Sequence, residues 1–467
     1  MQHRYRSKIL DEIRNHSLDS DLKLAHQFAL DYINNVDDMP VFPKPNDLDS
    51  LKVFDSPLGD EPEKTEDILT QLHQYGSPAT VAQTGGRYFG FVCGGILPSA
   101  LASKWLTDAW DQNPAMYVLS PVASKIEAVT EKWLIGLLGL PPETVAGYVS
   151  GSSTATIIGL TIGRNYLLKN LGYDVFGQGL FNAPEIKVVL GEGAHSTIYK
   201  ALSIIGLGNE RIHKVPCDDQ GRIQVDQMPP LDHKTLLILQ AGHVNTGNFD
   251  DFQTLCTMAK EAGAYVHVDG AFGLWAAANP EFKHLTDGVQ LADSWSVDGH
   301  KTLNTPYDSG IILCRHRQLL INSMHMVGSY IILSEDRDNM LYTSEMSRRT
   351  RAIDLWATLK GLGRKGVAEL VWELHKKAVY FGDLLKEGGL DMLNDIVFNQ
   401  VLVRFKSDEK TDTLIKMVQD SGVCWLGGAK WQGQSVMRIS VSSYKTTYED
   451  IDTSAEDILR LARELDS

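Results

Sequence analysis

The chain opens with a helical pattern of apolar positions, and its rhythm then changes twice. Up to about residue 38, Ile9, Ile13, Leu22, Phe28 and Ile33 recur among charged residues at helical spacing. A proline-rich stretch at 39–46 is incompatible with a helix or a central strand. From about 60 to 145 the pattern is again mostly helical. These features predict an amino-terminal helical arm followed by further helices.

The middle third alternates short apolar runs with helix-length segments. The runs lie at 187–190, 235–240, 265–268, 294–297 and 310–314, and Gly, Asp or His bounds them. Strands that alternate with helices predict a layered α/β sheet. Such sheets bind ligands at the carboxyl ends of their strands. We therefore expect the functional residues directly after these runs.

The last third predicts a smaller unit. A helical pattern at 353–385 precedes strand-like runs at 397–405, 423–426 and 436–441, and a helix at about 448–465 closes the chain. The sequence thus suggests three regions. They are a helical arm at 1–75, a large ligand-binding domain at 76–350 and a small carboxy-terminal domain at 351–467.

Charge and cysteine content narrow the class of protein. The net charge of −15 over 467 residues argues against nucleic acid or an anionic membrane as the main partner. Five scattered cysteines lack the close spacing of a zinc site or a redox pair, which favours reduced thiols in the cytoplasm and gives no metal site. No apolar run approaches the roughly 20 residues that span a bilayer. We expect a cytoplasmic protein.

The first motif with possible chemistry is Asp298-Gly-His-Lys301, at the end of the run 294–297. Desolvation of a lysine held there would favour its neutral amine, a nucleophile towards aldehydes. Taken alone, a His-Lys pair is more often a solvated surface pair. Lys301 and His300 are therefore candidates that need support from other motifs.

The second motif is His267-Val-Asp269-Gly-Ala271, where a strand ends in an acid and small residues. A buried carboxylate needs a partner, and a protonated pyridine nitrogen is one. Ala271 would let a flat ring lie against the backbone. The alternative is that Asp269 simply caps a helix.

The third motif, Ser150-Gly-Ser152-Ser153-Thr-Ala-Thr, leads into an apolar helix. Free N–H groups and hydroxyls at a helix start suit a phosphate. The segment lacks the lysine of a P-loop and the glycine pattern of a dinucleotide site. An ordinary capped helix is the alternative.

The fourth motif is Ala194-His195-Ser, just beyond the run 187–190. An imidazole there could stack on an aromatic ring, although a structural histidine is the simpler interpretation. One cofactor, pyridoxal 5'-phosphate, requires all four features: a phosphate cup, a ring stack, a partner for the pyridine nitrogen and an aldehyde-binding lysine.

The motifs together resemble those of the group II pyridoxal-phosphate decarboxylases, the family of aromatic amino-acid and glutamate decarboxylases. The resemblance is strongest over 84–357. It is carried by Arg87-Tyr-Phe-Gly-Phe, Ser150-Gly-Ser-Ser-Thr-Ala-Thr, Ala194-His-Ser, His267-Val-Asp-Gly-Ala, Asp298-Gly-His-Lys and Ser347-Arg-Arg. It implies the type I aminotransferase-like fold, with a mixed, mostly parallel seven-stranded sheet in a large domain and a small α+β domain. It also implies homodimers with shared active sites.

The resemblance assigns roles to individual residues. Lys301 would carry the cofactor as a Schiff base, Asp269 would pair with the ring nitrogen, and His195 would stack over the ring. Ala271 would line the other face of the ring. The phosphate would be held by Ser152, Ser153 and His300, with Asn245 as a further candidate. The implied reaction converts an L-amino acid into a primary amine and carbon dioxide.

Three departures from the family pattern stand out. Gly85-Gly86 replaces a common His-Pro, and Asp298 stands where relatives commonly have Asn. Because a phosphate repels a carboxylate, we expect Asp298 to contribute its backbone or to face away. In the loop at 328–346 the family's proton-donating tyrosine aligns near Asn339, so Tyr342 becomes the candidate and Tyr330 a second one.

The unusual loop leaves the reaction type open. The alternative is another pyridoxal-phosphate reaction on the same scaffold, such as a carbon–carbon lyase, an aldehyde-forming oxidative deaminase or an aminotransferase. An aminotransferase needs a carboxylate-binding arginine, for which Arg404 or Arg438 could serve, although either could form an ordinary salt bridge. A non-catalytic binding protein is a third class.

The substrate also stays open at this point. Aromatic residues in the region that lines the pocket in relatives favour an apolar substrate, and basic residues nearby allow an acidic one. The aromatic residues are Tyr88, Phe89, Phe91 and Tyr117, and the basic ones are Arg87 and Lys104.

Overall fold

Helices and strands alternate through most of the computed structural model, which describes residues 7–325, 333 and 335–467. Its first half contains α1 (Lys8–Asn15), α2 (Leu18–Asn35), α3 (Pro45–Ser50), α4 (Thr65–Gln71), α5 (Pro98–Trp110), α6 (Pro121–Leu138), β1 (Val145–Val149), α7 (Ser152–Asn170), α8 (Val175–Gln178), β2 (Lys187–Gly191), α9 (Ser196–Ile204), β3 (Ile212–Val215) and β4 (Thr235–Gln240). Its second half contains α10 (Phe252–Ala262), β5 (Tyr265–Asp269), α11 (Lys283–Thr286), β6 (Ser294–Asp298), β7 (Gly310–Cys314), α12 (Arg317–Met324), α13 (Arg351–Glu387), β8 (Asp391–Met392), β9 (Gln400–Arg404), α14 (Asp408–Ser421), β10 (Gly427–Trp431), β11 (Gln434–Ser440) and α15 (Tyr448–Asp466).

Local sequence explains where several helices begin and end. The hydroxyl of Ser120 accepts from the Ala123 N–H at the start of α6, Pro121 occupies the first turn, and Gly139 ends the helix with a φ of 65°. At α15, Thr447 and Asp450 form a reciprocal capping box. Such caps satisfy backbone groups that the helix itself leaves unpaired.

The large sheet has seven strands in the order β1-β7-β6-β5-β4-β2-β3. β7 runs antiparallel to both β1 and β6, and the other neighbours are parallel. Every residue of β1, β4, β5, β6 and β7 is buried, as expected for a sheet covered on both faces. The predicted fold class is confirmed.

A second, four-stranded antiparallel sheet has the order β10-β11-β9-β8. Helices α13, α14 and α15 pack on it around a separate apolar core that includes Phe381, Val403 and Ile439. Phe89, from far earlier in the chain, also belongs to this core. The boundaries at 75 and 350 stay predictions.

The longest helix, α13, is broken at Gly363, whose φ of 63° is left-handed and interrupts the helical backbone. Its outer surface carries charged residues, including Arg364 and Lys365. Among the residues that the structure describes, no helix combines the length and apolar content needed to cross a membrane.

Candidate active site

Four segments deliver polar residues to one edge of the large sheet. β6 ends at Asp298 and β5 at Asp269, while the segments after β1 and β2 lead into α7 and α9. A cavity of about 470 Å³ lies there. Seven of the predicted site residues line it, namely Ser152, Ser153, His195, Asp269, Ala271, His300 and Lys301.

Lys301 follows β6 and reaches this cavity with its side chain 21% exposed. Its Nζ lies 3.0 Å from Oδ2 of Asp298, so the amine is held by an ion pair. The Lys301 carbonyl accepts from the N–H of Asn304, which fixes the turn. The lysine is therefore held at the sheet edge with its nitrogen inside the cavity.

Asp269 is a buried carboxylate with few partners. Oδ1 accepts from the Ala271 N–H at 3.2 Å and from the Ser296 hydroxyl at 3.5 Å, and no ion pair to Asp269 occurs within the described residues. Burial raises the pKa of Asp269, although the positive charges of Lys301 and His195 lower it in part. A buried acid with so little compensation suits a cationic ligand group.

His195 is the N-cap residue of α9, and hydrogen bonds to Thr197 hold its ring. Its Nδ1 lies 2.8 Å from the Thr197 hydroxyl and also accepts from the Thr197 N–H. Burial lowers the pKa of His195, so the ring is predominantly neutral near pH 7. Ala271 lines the same cavity. A flat imidazole and a small residue thus bound a space that a planar ring could enter.

The start of α7 is occupied by Asp298 rather than left open. The N–H of Ser152 donates to Oδ1 at 2.6 Å, and the Ser152 hydroxyl donates to Oδ2 at 2.7 Å. His300 Nε2 lies 3.6 Å from Oδ1, while its Nδ1 accepts from the Ser309 N–H. The expectation that Asp298 faces away is wrong, because its carboxylate neutralises Lys301 and accepts the α7 donors.

Two predicted residues are not brought to the cavity. Asn245 lies in the turn after β4, where its N–H donates to Nδ1 of His243. Tyr342 is buried, its hydroxyl accepts from Arg317 at 2.7 Å, and the Arg337 guanidinium lies 3.8 Å from the ring centre. The roles of Asn245 and Tyr342 stay predictions without support from this geometry. Tyr330 lies outside the described residues.

Two cavity residues had no assigned role in a decarboxylase site. Arg438 reaches the cavity from β11, and in the described part of the chain it has no ion pair; its Nε is buried without a hydrogen bond. Burial lowers the pKa of Arg438. Tyr307 stacks on His300 with ring centres 4.3 Å apart. The sequence suggested Arg438 only as the carboxylate-binding arginine of an aminotransferase or as a salt-bridge residue, and nothing local marked Tyr307.

The substrate-region residues separate into cavity and non-cavity groups. Phe91 lines the cavity. Tyr88 stacks on Trp425, and Phe89 is part of the core of the smaller sheet. Lys104 pairs with Asp108 at 2.8 Å, and Arg87 donates to the carbonyl of Asp37. The basic residues suggested by the sequence are therefore engaged elsewhere.

The match to known families agrees with this geometry. The model described as "Pyridoxal-dependent decarboxylase conserved domain" covers residues 45–406. The chain belongs to this family. It is accordingly a pyridoxal-phosphate-dependent carboxy-lyase, and pyridoxal phosphate is its cofactor. The Asp269 carboxylate, which has no ion pair among the described residues, and the amine of Lys301 line one cavity and fit that cofactor.

Relatives differ in substrate and in reaction. The chain is 30% identical to the aspartate 1-decarboxylase of Aliivibrio fischeri over 52% of this chain and 47% of that protein. It is 24% identical to an aromatic-L-amino-acid decarboxylase of Bacillus atrophaeus over 81% of each. A phenylacetaldehyde synthase of a Rosa hybrid cultivar is 24% identical over 77% of this chain and 73% of its own length. Some family members therefore carry out other reactions.

A solved structure shows the same fold. The crystal structure of Oryza sativa TDC with PLP and tryptamine aligns with a TM-score of 0.87, at 21% identity, over 98% of this chain and 99% of that chain. At this identity the likeness concerns the fold alone. It confirms the type I architecture that the sequence predicted.

Proposed function

We propose that this enzyme decarboxylates an L-amino acid with an acidic side chain, giving a primary amine and carbon dioxide. The observation that carries the proposal is Arg438, a cavity cation without an internal partner in the described residues. A second carboxylate on the substrate would satisfy it by a bidentate contact. The similarity to an aspartate 1-decarboxylase over half of the chain supports the same substrate class.

Pyridoxal phosphate, when bound, supplies an aldehyde for amines and a ring that accepts electron density from the bond that breaks. Lys301 would present its nitrogen to that aldehyde, and Asp269 would hold the positive charge of the ring nitrogen. His195 and Ala271 would bound the ring. Ser152, Ser153 and His300 would contact the phosphate. These roles are supported by their shared position at the cavity.

The carbon that loses carbon dioxide must take up one proton, and Tyr307 is the proposed donor. It is the one tyrosine among the described residues that line the cavity. Tyr307 is half exposed, and desolvation of its buried part raises the pKa of its hydroxyl, which therefore stays protonated near pH 7. The hydroxyl lies 3.5 Å from Sγ of Cys93. A protonated phenol beside the cavity can act as a general acid.

The substrate class is tested with the purified holoenzyme and a panel of L-amino acids. We expect stoichiometric amine and carbon dioxide from aspartate or glutamate. Arg438→Met should raise KM for that substrate by about 10²-fold or more, because one charge-assisted contact is lost. Arg404→Met is the matched control, since Arg404 lies on the neighbouring strand and pairs with Asp408. Preference for an aromatic substrate, or an unchanged KM, would contradict the proposal.

Aldehyde formation is the second candidate, and the position of Tyr342 away from the cavity favours testing it. That reaction would consume the amino acid, oxygen and water and release an aldehyde, carbon dioxide, ammonia and hydrogen peroxide. We expect little peroxide from the wild type and a larger peroxide fraction from Tyr307→Phe, because the proton donor is lost. Tyr342→Phe should leave the amine-to-peroxide ratio unchanged. Peroxide from the wild type in the same amount as carbon dioxide would establish the second candidate.

We further propose a cytoplasmic homodimer. The proposal is supported by five unpaired cysteines and by exposed apolar residues on and after α5, such as Trp105, Trp110 and Val118. Light scattering of the holoenzyme should give twice the 51.8 kDa chain mass. A monomeric mass under assay conditions would refute the dimer.

A further inference from the structure

The carboxylate of Asp298 uses the polar donors at the start of α7. It is almost fully buried and accepts both the N–H and the hydroxyl of Ser152. Lys301 Nζ approaches the same carboxylate at 3.0 Å. The charge is therefore fixed by three donors that all lie at the cavity.

The charged groups of this site suggest how pyridoxal phosphate would lie in it. Its aldehyde must meet Lys301, and its ring nitrogen suits Asp269, which lies on the strand next to Asp298. The phosphate would then lie at the end of the cavity that Ser152, Ser153 and His300 line.

At that end the phosphate would lie beside the Asp298 carboxylate, which already accepts from Ser152. Burial lowers the pKa of His300, although the Asp298 carboxylate raises it in part, so this imidazole is predominantly neutral near pH 7 in the cofactor-free protein. A Lys301 nitrogen that is bonded to the cofactor aldehyde would pair less strongly with the Asp298 carboxylate. A phosphate and a carboxylate that share donors in a buried site would repel each other strongly.

We propose that Asp298 competes with the cofactor phosphate for the Ser152 donors and thereby weakens the binding of pyridoxal phosphate by this enzyme. Asp298 is a positioning residue in this view, because it holds Lys301 and Ser152. The phosphate can bind Ser152 only to the extent that the Asp298 carboxylate releases the N–H and the hydroxyl of Ser152. The enzyme would thus exchange its cofactor with the surrounding pool more readily than a site with a neutral residue at this position.

Cofactor binding does not depend on the identity of the substrate, and it is measured here instead of turnover. Protein freed of cofactor is dialysed to equilibrium against pyridoxal phosphate and, separately, against pyridoxal, which lacks the phosphate. The ratio of the two dissociation constants isolates the contribution of the phosphate. Asp298→Asn keeps the shape of the side chain and removes its charge.

For Asp298→Asn we expect the dissociation constant of pyridoxal, divided by that of pyridoxal phosphate, to be at least about tenfold larger than for the wild type. Any change in the reactivity of Lys301 affects both ligands and cancels. Asp250→Asn is the matched control, since Asp250 is a buried carboxylate that also accepts two donors, the N–H groups of Ile223 and Gln240. The control should leave the ratio unchanged.

If Asp298→Asn does not fold, Asp298→Ser removes the same charge with a smaller side chain and is measured in the same way. A ratio equal to that of the wild type, or one that favours pyridoxal, would overturn the proposal. It would mean that Asp298 serves only to hold Lys301 and the start of α7.

Discussion

Two groups of charged side chains in this enzyme differ in whether they form ion pairs. Around Tyr342, Arg348 binds Glu127 at 2.7 Å with both side chains fully buried, and Arg337 binds Glu131 at 2.6 Å. In the cavity, Asp269 and Arg438 have no ion pairs within the described residues.

The difference separates structural charges from functional ones. A buried ion is tolerated when an opposite charge lies against it, and such a pair links distant segments of the chain. Glu127 on α6 and Arg348 before α13 are a pair of this kind. A buried ion without a partner destabilises the protein unless a ligand supplies the missing charge. The cavity therefore contains charges that a ligand could pair, whereas the charged side chains around Tyr342 already pair with one another.

The largest effect is expected from breaking the paired cluster. Glu127→Gln should lower the free energy of unfolding by about 3–5 kcal/mol, because Arg348 is left buried without its counter-charge. Denaturant unfolding of the holoenzyme measures this. Lys23→Ala, which breaks an exposed pair with Asp19, is the control and should cost less than about 1 kcal/mol. Equal effects of the two variants would refute the comparison.

Asp269→Asn, in contrast to Glu127→Gln, should lower activity and raise the stability of the cofactor-free protein. We expect kcat to fall by about 10²–10³-fold, because the ring nitrogen loses its counter-charge. The cofactor-free protein should become more stable at neutral pH. The pKa of Asp269 is raised in the folded state, so the folded chain keeps a proton that the unfolded chain releases as pH rises, and the carboxylate then destabilises the fold.

Two measurements on Asp269→Asn test this combination. Steady-state kinetics with saturating cofactor gives kcat, and thermal unfolding without cofactor gives stability. The gain in stability over the wild type should grow as pH rises above the usual pKa of an aspartate, about 4. A variant that loses activity and stability together would show that Asp269 is a structural acid like Glu127.

Local sequence predicts most of the large sheet and the residues at its strand ends. The runs 235–240 and 310–314 match β4 and β7, since continuous apolar runs of this short length are typical of buried strands. β1 and β3 were missed. β1 is a five-residue segment between two helices, and β3 is an edge strand with polar residues such as His213 and Lys214.

Long-range contacts account for the other differences. The run 423–426 was predicted as a strand, but β10 begins at Gly427. Trp425 instead pairs with the segment after Arg87, where the Phe89 N–H donates to the Trp425 carbonyl at 2.8 Å. Arg438 and Tyr307 reach the cavity only through the packing of the two sheets. Such contacts join residues hundreds of positions apart and have no local signature.

His267 allows a smaller test of the same comparison, because it is a buried group satisfied without charge. It lies on β5 two residues before Asp269, and its Nδ1 is 2.8 Å from the Ser294 hydroxyl. Burial lowers the pKa of His267 to about 3. The folded chain therefore excludes a proton that the unfolded chain binds below pH 6.5.

Stability contributed by the neutral His267 is present above pH 6.5 and is lost as pH falls towards 3. The loss is at most about 1.4 kcal/mol per pH unit. His267→Gln removes this titration while keeping polar atoms, so the slope of unfolding free energy between pH 6.5 and 4.5 should be shallower by that amount. Equal slopes in the variant and the wild type would mean that His267 is protonated inside the fold. The fold would then tolerate an unpaired buried charge next to Asp269 that binds no ligand, and the lack of an ion pair would no longer mark a ligand-binding residue.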